Sequence, residues 1–89
     1  MKVFDASAVL AVIFDEPGAD TAAKLMNDGD GVVSSVNLAE VVTRLLDKGI
    51  SEREAHAMCA GLPLQVESFT REMALEAGRL RTATRALGL

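Results

Sequence analysis

The sequence is short of the residues that build disulfide frameworks and zinc sites, because it contains one cysteine, Cys59, and one histidine, His56. A single cysteine excludes an intramolecular disulfide, and together the two residues cannot form a four-ligand zinc site. We therefore expect a reducing compartment and oxygen ligands for any bound metal. His56 and Cys59 share one face of a predicted helix, where core packing is the expected role of both.

Long charge-free runs are absent as well. The longest, residues 55–66, is much shorter than the ~20 apolar residues that a membrane span needs. Asp5 interrupts the apolar run after Lys2 that otherwise resembles a secretory signal. We predict a cytoplasmic protein without a membrane span.

Tryptophan and tyrosine are missing, and the 89 residues include only three phenylalanines, although 49% of the chain is hydrophobic. This composition predicts one small globular domain with a thin core of Ala, Val and Leu. The net charge of −4 argues against nucleic-acid binding by bulk electrostatics alone. Residues 77–89 differ from the rest, because they carry Arg79, Arg81 and Arg85 and no acid.

Short β-branched or aromatic runs alternate with apolar residues at helical spacing. The runs at residues 2–5, 32–35 and 64–66 predict three strands, and two helices follow each of the first two. Ser51 and Thr70 are predicted N-caps of the fourth and fifth helices, the fifth extending to about residue 87. The order β-α-α-β-α-α-β-α predicts an α/β fold with a parallel sheet flanked by helices.

Two carboxylates follow predicted strands. Asp5 ends the first strand and opens the first helix, where it is either an N-cap or a side chain in the crevice beyond the strand ends. Ser7 offers a hydroxyl in the same turn. Glu40 lies early in the helix after the second strand, where Asn37 and Glu40 resemble a capping box and Glu40 and Arg44 an i,i+4 ion pair.

Considered as a pair, Asp5 and Glu40 indicate a cation site. Carboxylates at the ends of neighbouring parallel strands share one edge of the sheet, and one or two carboxylates plus waters commonly hold Mg²⁺ or Mn²⁺. Such a metal polarises a phosphodiester and activates water. The remaining acids of the turns are expected to be solubilising; they are Asp15, Glu16, Asp28 and Asp30.

Three segments together resemble a known family: DASAVLAVIFDEPG, VSSVNLAEVVTRLLDKG and LPLQVESFTREMALEAGRLRTATRALGL. They are similar to the PIN domain of VapC-type toxins, the ribonucleases of bacterial toxin–antitoxin pairs. The resemblance implies a Mg²⁺- or Mn²⁺-dependent endoribonuclease with an RNA substrate and a cognate antitoxin. It assigns the first acid to Asp5, the second to Glu40 and supporting polar roles to Ser7 and Asn37, with Arg79, Arg81 and Arg85 as candidate phosphate contacts.

The resemblance also implies a third acid after the matched segments, so residues 1–89 are expected to form a single partial PIN domain, weakly active or inactive alone. A sheet order of 3-2-1-4-5 would leave the first strand at an edge, with Val3 and Phe4 short of apolar cover and the chain self-associating. The alternative is a non-catalytic remnant that binds an antitoxin or itself. A phosphatase of the haloacid dehalogenase type fits less well, because it needs an aspartate where Ser7 stands.

Overall fold

A computed structural model describes residues 1–86, without the side chains of residues 77 and 80–86. The fold is α/β, in the predicted order. Its elements are β1 (Lys2–Phe4), α1 (Ala6–Ile13), α2 (Ala19–Asn27), β2 (Gly31–Ser34), α3 (Ser35–Asp47), α4 (Glu52–Ala60), β3 (Gln65–Glu67) and α5 (Arg71–Ala86). The predicted end of the fifth helix at residue 87 and the glycine after it lie outside the described residues.

The three strands form one parallel sheet in the order β1-β2-β3. Val3 pairs in register with Val32, and Val33 pairs with Val66. Within the described residues β1 therefore lies at one edge of the sheet, as predicted. Because the strands are parallel, all three finish at the same end of the sheet, which we call its carboxyl edge. Helices α1, α3 and α5 begin there.

Successive residues of β1 face opposite sides of the sheet and enter two separate cores. Phe4 packs on one side with Val9 of α1 and Val41 of α3. Val3 packs on the other side with Val32 and with Met73 of α5. The helices α1 to α4 thus cover one face of the sheet and α5 the other.

The prediction that Val3 and Phe4 lack apolar cover is wrong, since they are 2% and 1% exposed. Met73 is 3% exposed against the Val3 face. The first turn of α5 therefore supplies the cover that was expected to be missing. On the opposite face of the sheet, Leu64 packs closely against the backbone of Gly31. A Cβ added at Gly31 would lie only 2.6 Å from Leu64 Cδ2.

Helix N-caps agree with the sequence at three places and differ at one. The side chains of Asp5, Ser51 and Thr70 accept hydrogen bonds from first-turn N–H groups of α1, α4 and α5. In α3 the cap is Ser34, whose Oγ accepts from Asn37 N at 3.0 Å. The interpretation of Asn37 as the cap of a capping box is therefore wrong, because β2 passes directly into α3 without an intervening loop.

Ion pairs lie at the other end of the sheet, its amino edge, where β1 and β2 begin. Lys2 Nζ lies 2.7 Å from Asp28 Oδ2 and 3.2 Å from Asp30 Oδ1, and the N-terminal ammonium lies 3.7 Å from Asp30 Oδ2. The hydrogen bond to Asp28 raises the pKa of Lys2, and the hydrogen bond from Lys2 lowers the pKa of Asp30. Asp28 and Asp30 are exposed, as expected, and they also bind the start of β1.

The two residues expected to share a core role behave differently. Cys59 is partly buried against the larger core, and burial raises the pKa of its thiol. His56 is exposed, so its predicted packing is wrong. Across the described part of the chain, no helix combines the length and the apolar character needed to cross a membrane.

Candidate metal centre

Asp5 stands at the junction of β1 and α1. Its backbone is extended, with φ −87° and ψ 173°, and its Oδ1 accepts a hydrogen bond from Ala8 N at 2.9 Å. The side chain is half-buried at the carboxyl edge of the sheet. A carboxylate offers about four acceptor positions, so the capping role and a metal-binding role are compatible in one residue.

Asn37 connects the starts of α1 and α3. Its Oδ1 accepts from the backbone N–H of Ala6 at 3.4 Å, across 31 positions of sequence. Ala6 directly follows Asp5, and Asn37 is itself bonded through its N–H to the cap residue Ser34. The first turns of the two helices are therefore in contact beside Asp5.

Glu40 lies one helical turn after Asn37 on α3. Residues three apart on a helix occupy the same face, which puts Glu40 on the side of α3 that carries Asn37. Its side chain is 52% exposed, and Oε1 lies 3.9 Å from Arg44 Nη2. The predicted ion pair is confirmed, but an exposed pair of this kind contributes only ~0–1 kcal/mol, so Glu40 can exchange Arg44 for a stronger cation at little cost.

Two further side chains occupy this edge. Ser7 is exposed in the first turn of α1. Glu67 ends β3, pairs in register with Ser34 and is exposed. It is not among the predicted site residues, although it follows a strand-like run as Asp5 does. Glu67 is two strands from β1, about 10 Å at ~4.8 Å per strand.

The predicted arginine contacts are only partly described. Arg79 is exposed, and its Nη1 lies 3.0 Å from Glu76 Oε1. The side chains of Arg81 and Arg85 lie outside the described residues. Met73 of α5 packs over the middle of β1 and β2. Arg79 lies six residues later, about 9 Å from Met73 along the helix axis at ~1.5 Å per residue.

The donor set fits a hard divalent cation. Among the described residues no group of three or more His, Cys, Asp or Glu side chains is placed to hold a metal. Two carboxylates with water as the remaining ligands are a common arrangement for Mg²⁺, and the exposure of Glu40 admits water. The N-termini of α1 and α3 both point to this edge, where their partial positive charge favours carboxylates and phosphate groups.

Comparison with known proteins supports one assignment. A family model described as "PIN domain" matches residues 2–89. No curated protein matches the chain significantly, and no solved structure does so. The match covers almost the whole chain and therefore includes β1, α1 and α3, which carry the residues of the candidate centre.

Proposed function

The chain belongs to the PIN domain family, whose members are in general divalent-metal-dependent nucleases, and we propose that it acts as an endoribonuclease toxin of the VapC type. In this proposal Asp5 and Glu40 hold Mg²⁺ or Mn²⁺, the substrate is RNA, and a cognate antitoxin binds the protein. Residues 1–89 form part of a single PIN domain that associates with further copies.

One observation carries the proposal. The hydrogen bond from Ala6 N to Asn37 Oδ1 joins the first turns of α1 and α3. Asp5 directly precedes α1, and Glu40 lies one helical turn after Asn37 on α3. These carboxylates follow two neighbouring parallel strands. The carboxyl edge of a parallel sheet is where such folds bind ligands, which supports the choice of these two acids as metal ligands.

Each residue has a distinct task in this scheme. A bound divalent cation would polarise the scissile phosphodiester and lower the pKa of a bound water. Asp5 and Glu40 supply the negative charge that holds the cation, and the N-termini of α1 and α3 favour the phosphate. Ser7 supplies an exposed hydroxyl at the same edge, and Arg79, Arg81 and Arg85 contact phosphates further along the RNA.

The experiment is a Mn²⁺ titration by calorimetry, followed by a cleavage assay on RNA. With two carboxylates in the centre, we expect weak Mn²⁺ binding and little cleavage by residues 1–89 alone. Asp5→Asn and Glu40→Gln should each abolish the binding. Glu52→Gln is the matched control, because Glu52 is an exposed acid in the first turn of α4 and should leave binding unchanged.

Two results would change the proposal. If the unmodified chain bound neither Mn²⁺ nor Mg²⁺, the metal-dependent function would be refuted. If residues 1–89 cleaved RNA efficiently and Glu40→Gln removed that activity, the expectation of weak activity would be wrong, and two carboxylates from each chain would be sufficient.

A second candidate is a non-catalytic interaction module. The observation that favours it is the exposure of large apolar side chains: Val66 of β3, Phe69 before α5 and Leu75 of α5 are each more than half exposed. Exposed apolar surface of this kind often marks a protein contact. Light scattering at low micromolar concentration distinguishes the cases: a monomer would count against self-association, and a dimer without Mn²⁺ binding would favour the module.

A further inference from the structure

Asn37 makes a contact that neither its helix nor its own cap requires. The first turn of any helix leaves backbone N–H groups without an intrahelical partner. In α1 the Ala8 N–H is bound locally by Asp5, whereas the Ala6 N–H is bound by Asn37, a residue of a different helix. Asn37 therefore caps α1 from α3.

This bond completes a continuous connection between the ends of two strands. Ser34, at the end of β2, accepts from Asn37 N at 3.0 Å, and Asn37 Oδ1 accepts from Ala6 N at 3.4 Å. Ala6 is covalently joined to Asp5, and Ser34 is fully buried. Two hydrogen bonds, through Ser34 and Asn37, and the peptide bond between Ala6 and Asp5 thus connect the buried end of β2 to the Asp5 backbone.

We propose that Asn37 is a positioning residue, which keeps Asp5 beside the face of α3 that carries Glu40 and so keeps the two carboxylates arranged for one cation. The inference rests on the proposed metal-binding function. At 3.4 Å the bond is long for an N–H···O contact, so we expect its own contribution to stability to be small. Residues that orient metal ligands typically change metal affinity about 10- to 100-fold when they are removed.

Asn37→Ala removes the acceptor, and two readouts follow its loss. By NMR, exchange of the Ala6 amide hydrogen should become several-fold faster, because that N–H loses its partner. By calorimetry, the Mn²⁺ dissociation constant should rise about tenfold. Asn37→Asp keeps an oxygen in the same position, so it should restore slow exchange at Ala6 and bind Mn²⁺ at least as tightly as the unmodified chain.

Thr43→Ala is the matched control. Thr43 lies on the same helix, and its Oγ1 bonds only to the carbonyl of Ala39, at 2.9 Å, among the contacts described for it. Its loss removes one side-chain oxygen from α3 without touching α1, so both readouts should remain those of the unmodified chain. If the role of Asn37 were purely structural, Asn37→Ala would bind Mn²⁺ as tightly as Thr43→Ala does.

The outcomes separate this inference from the function on which it rests. Absence of Mn²⁺ binding by the unmodified chain would refute the proposed function, and the exchange rate of Ala6 would still test whether Asn37 holds α1. Unchanged Mn²⁺ affinity in Asn37→Ala, in a chain that binds the metal, would overturn the positioning role. Unchanged Ala6 exchange in Asn37→Ala would overturn it as well.

Discussion

Asp5 has two tasks in the proposed centre, and two substitutions separate them. In the structure Asp5 Oδ1 caps α1 by accepting a 2.9 Å hydrogen bond from Ala8 N, and in the proposed function Asp5 is also a metal ligand. Asparagine caps helices about as well as aspartate, whereas alanine does not cap. Asp5→Asn should therefore remove the negative charge alone, and Asp5→Ala should remove both the charge and the cap.

The magnitudes follow from these two contributions. In the presence of a chelator, Asp5→Asn should leave the free energy of unfolding within about 0.5 kcal/mol of the unmodified value, and Asp5→Ala should lower it by about 1 kcal/mol. For a chain of this size, 1 kcal/mol corresponds to a fall in Tm of about 4–8 °C. With Mn²⁺ at ten times its Kd, the unmodified chain should gain about 1.4 kcal/mol, and neither variant should gain anything.

The assay is urea denaturation with a chelator and then with Mn²⁺. Ser51→Ala is the control for cap loss, because Ser51 caps α4 through a 3.1 Å bond from Glu54 N and takes no part in the proposed centre. It should lose about 1 kcal/mol and still gain as much from Mn²⁺ as the unmodified chain. If Asp5→Asn gained equally from Mn²⁺, Asp5 would be a helix cap only.

Two further predictions concern the rest of the sheet. Gly31→Ala should destabilise the fold by about 1–3 kcal/mol, because the new Cβ would lie 2.9 Å from the buried ring of Phe4. Gly78→Ala is the control: its Cβ would have nothing within 4 Å, so it should stabilise α5 by about 0.5–1 kcal/mol. Equal effects of the two substitutions in urea denaturation would contradict the packing of Gly31. Lys2 lowers the pKa of Asp30, so the stability contributed by Asp30 is present above its unfolded pKa of about 3.8 and is lost as the pH falls through its lower folded value. The difference in stability between the unmodified chain and Asp30→Asn should therefore shrink between pH 6 and pH 2, and a constant difference would refute the linkage.

The elements that could be predicted are those whose signals are local. Short β-branched or aromatic runs, helical spacing and the caps are all local signals, the cap residues being Asp5, Ser51 and Thr70. The start of α3 was misplaced because Ser34 and Asn37 are both good cap residues and lie three positions apart. Only the end of β2 decides between them, since pairing of Ser34 with Glu67 keeps Ser34 in the strand.

The features that could not be predicted depend on contacts between distant segments. The cover on Val3 comes from Met73, 70 positions later, and nothing in the sequence near β1 indicates which face α5 will cover. The same limit applies to the candidate centre. The sequence indicates Asp5 and Glu40 because each follows a strand, but the bond from Ala6 N to Asn37 Oδ1 joins segments 31 positions apart, and no local pattern predicts it.

The two edges of the sheet differ in how their acids are neutralised, and this difference favours one edge as the cation site. At the amino edge, two positive groups, Lys2 and the N-terminal ammonium, bind Asp28 and Asp30 at 2.7–3.7 Å. At the carboxyl edge, Glu40 has the exposed Arg44 at 3.9 Å, and the helix N-termini add only about half an elementary charge each. We therefore expect a divalent cation to bind at the carboxyl edge, where the hydrogen bond from Ala6 N to Asn37 Oδ1 joins the starts of α1 and α3.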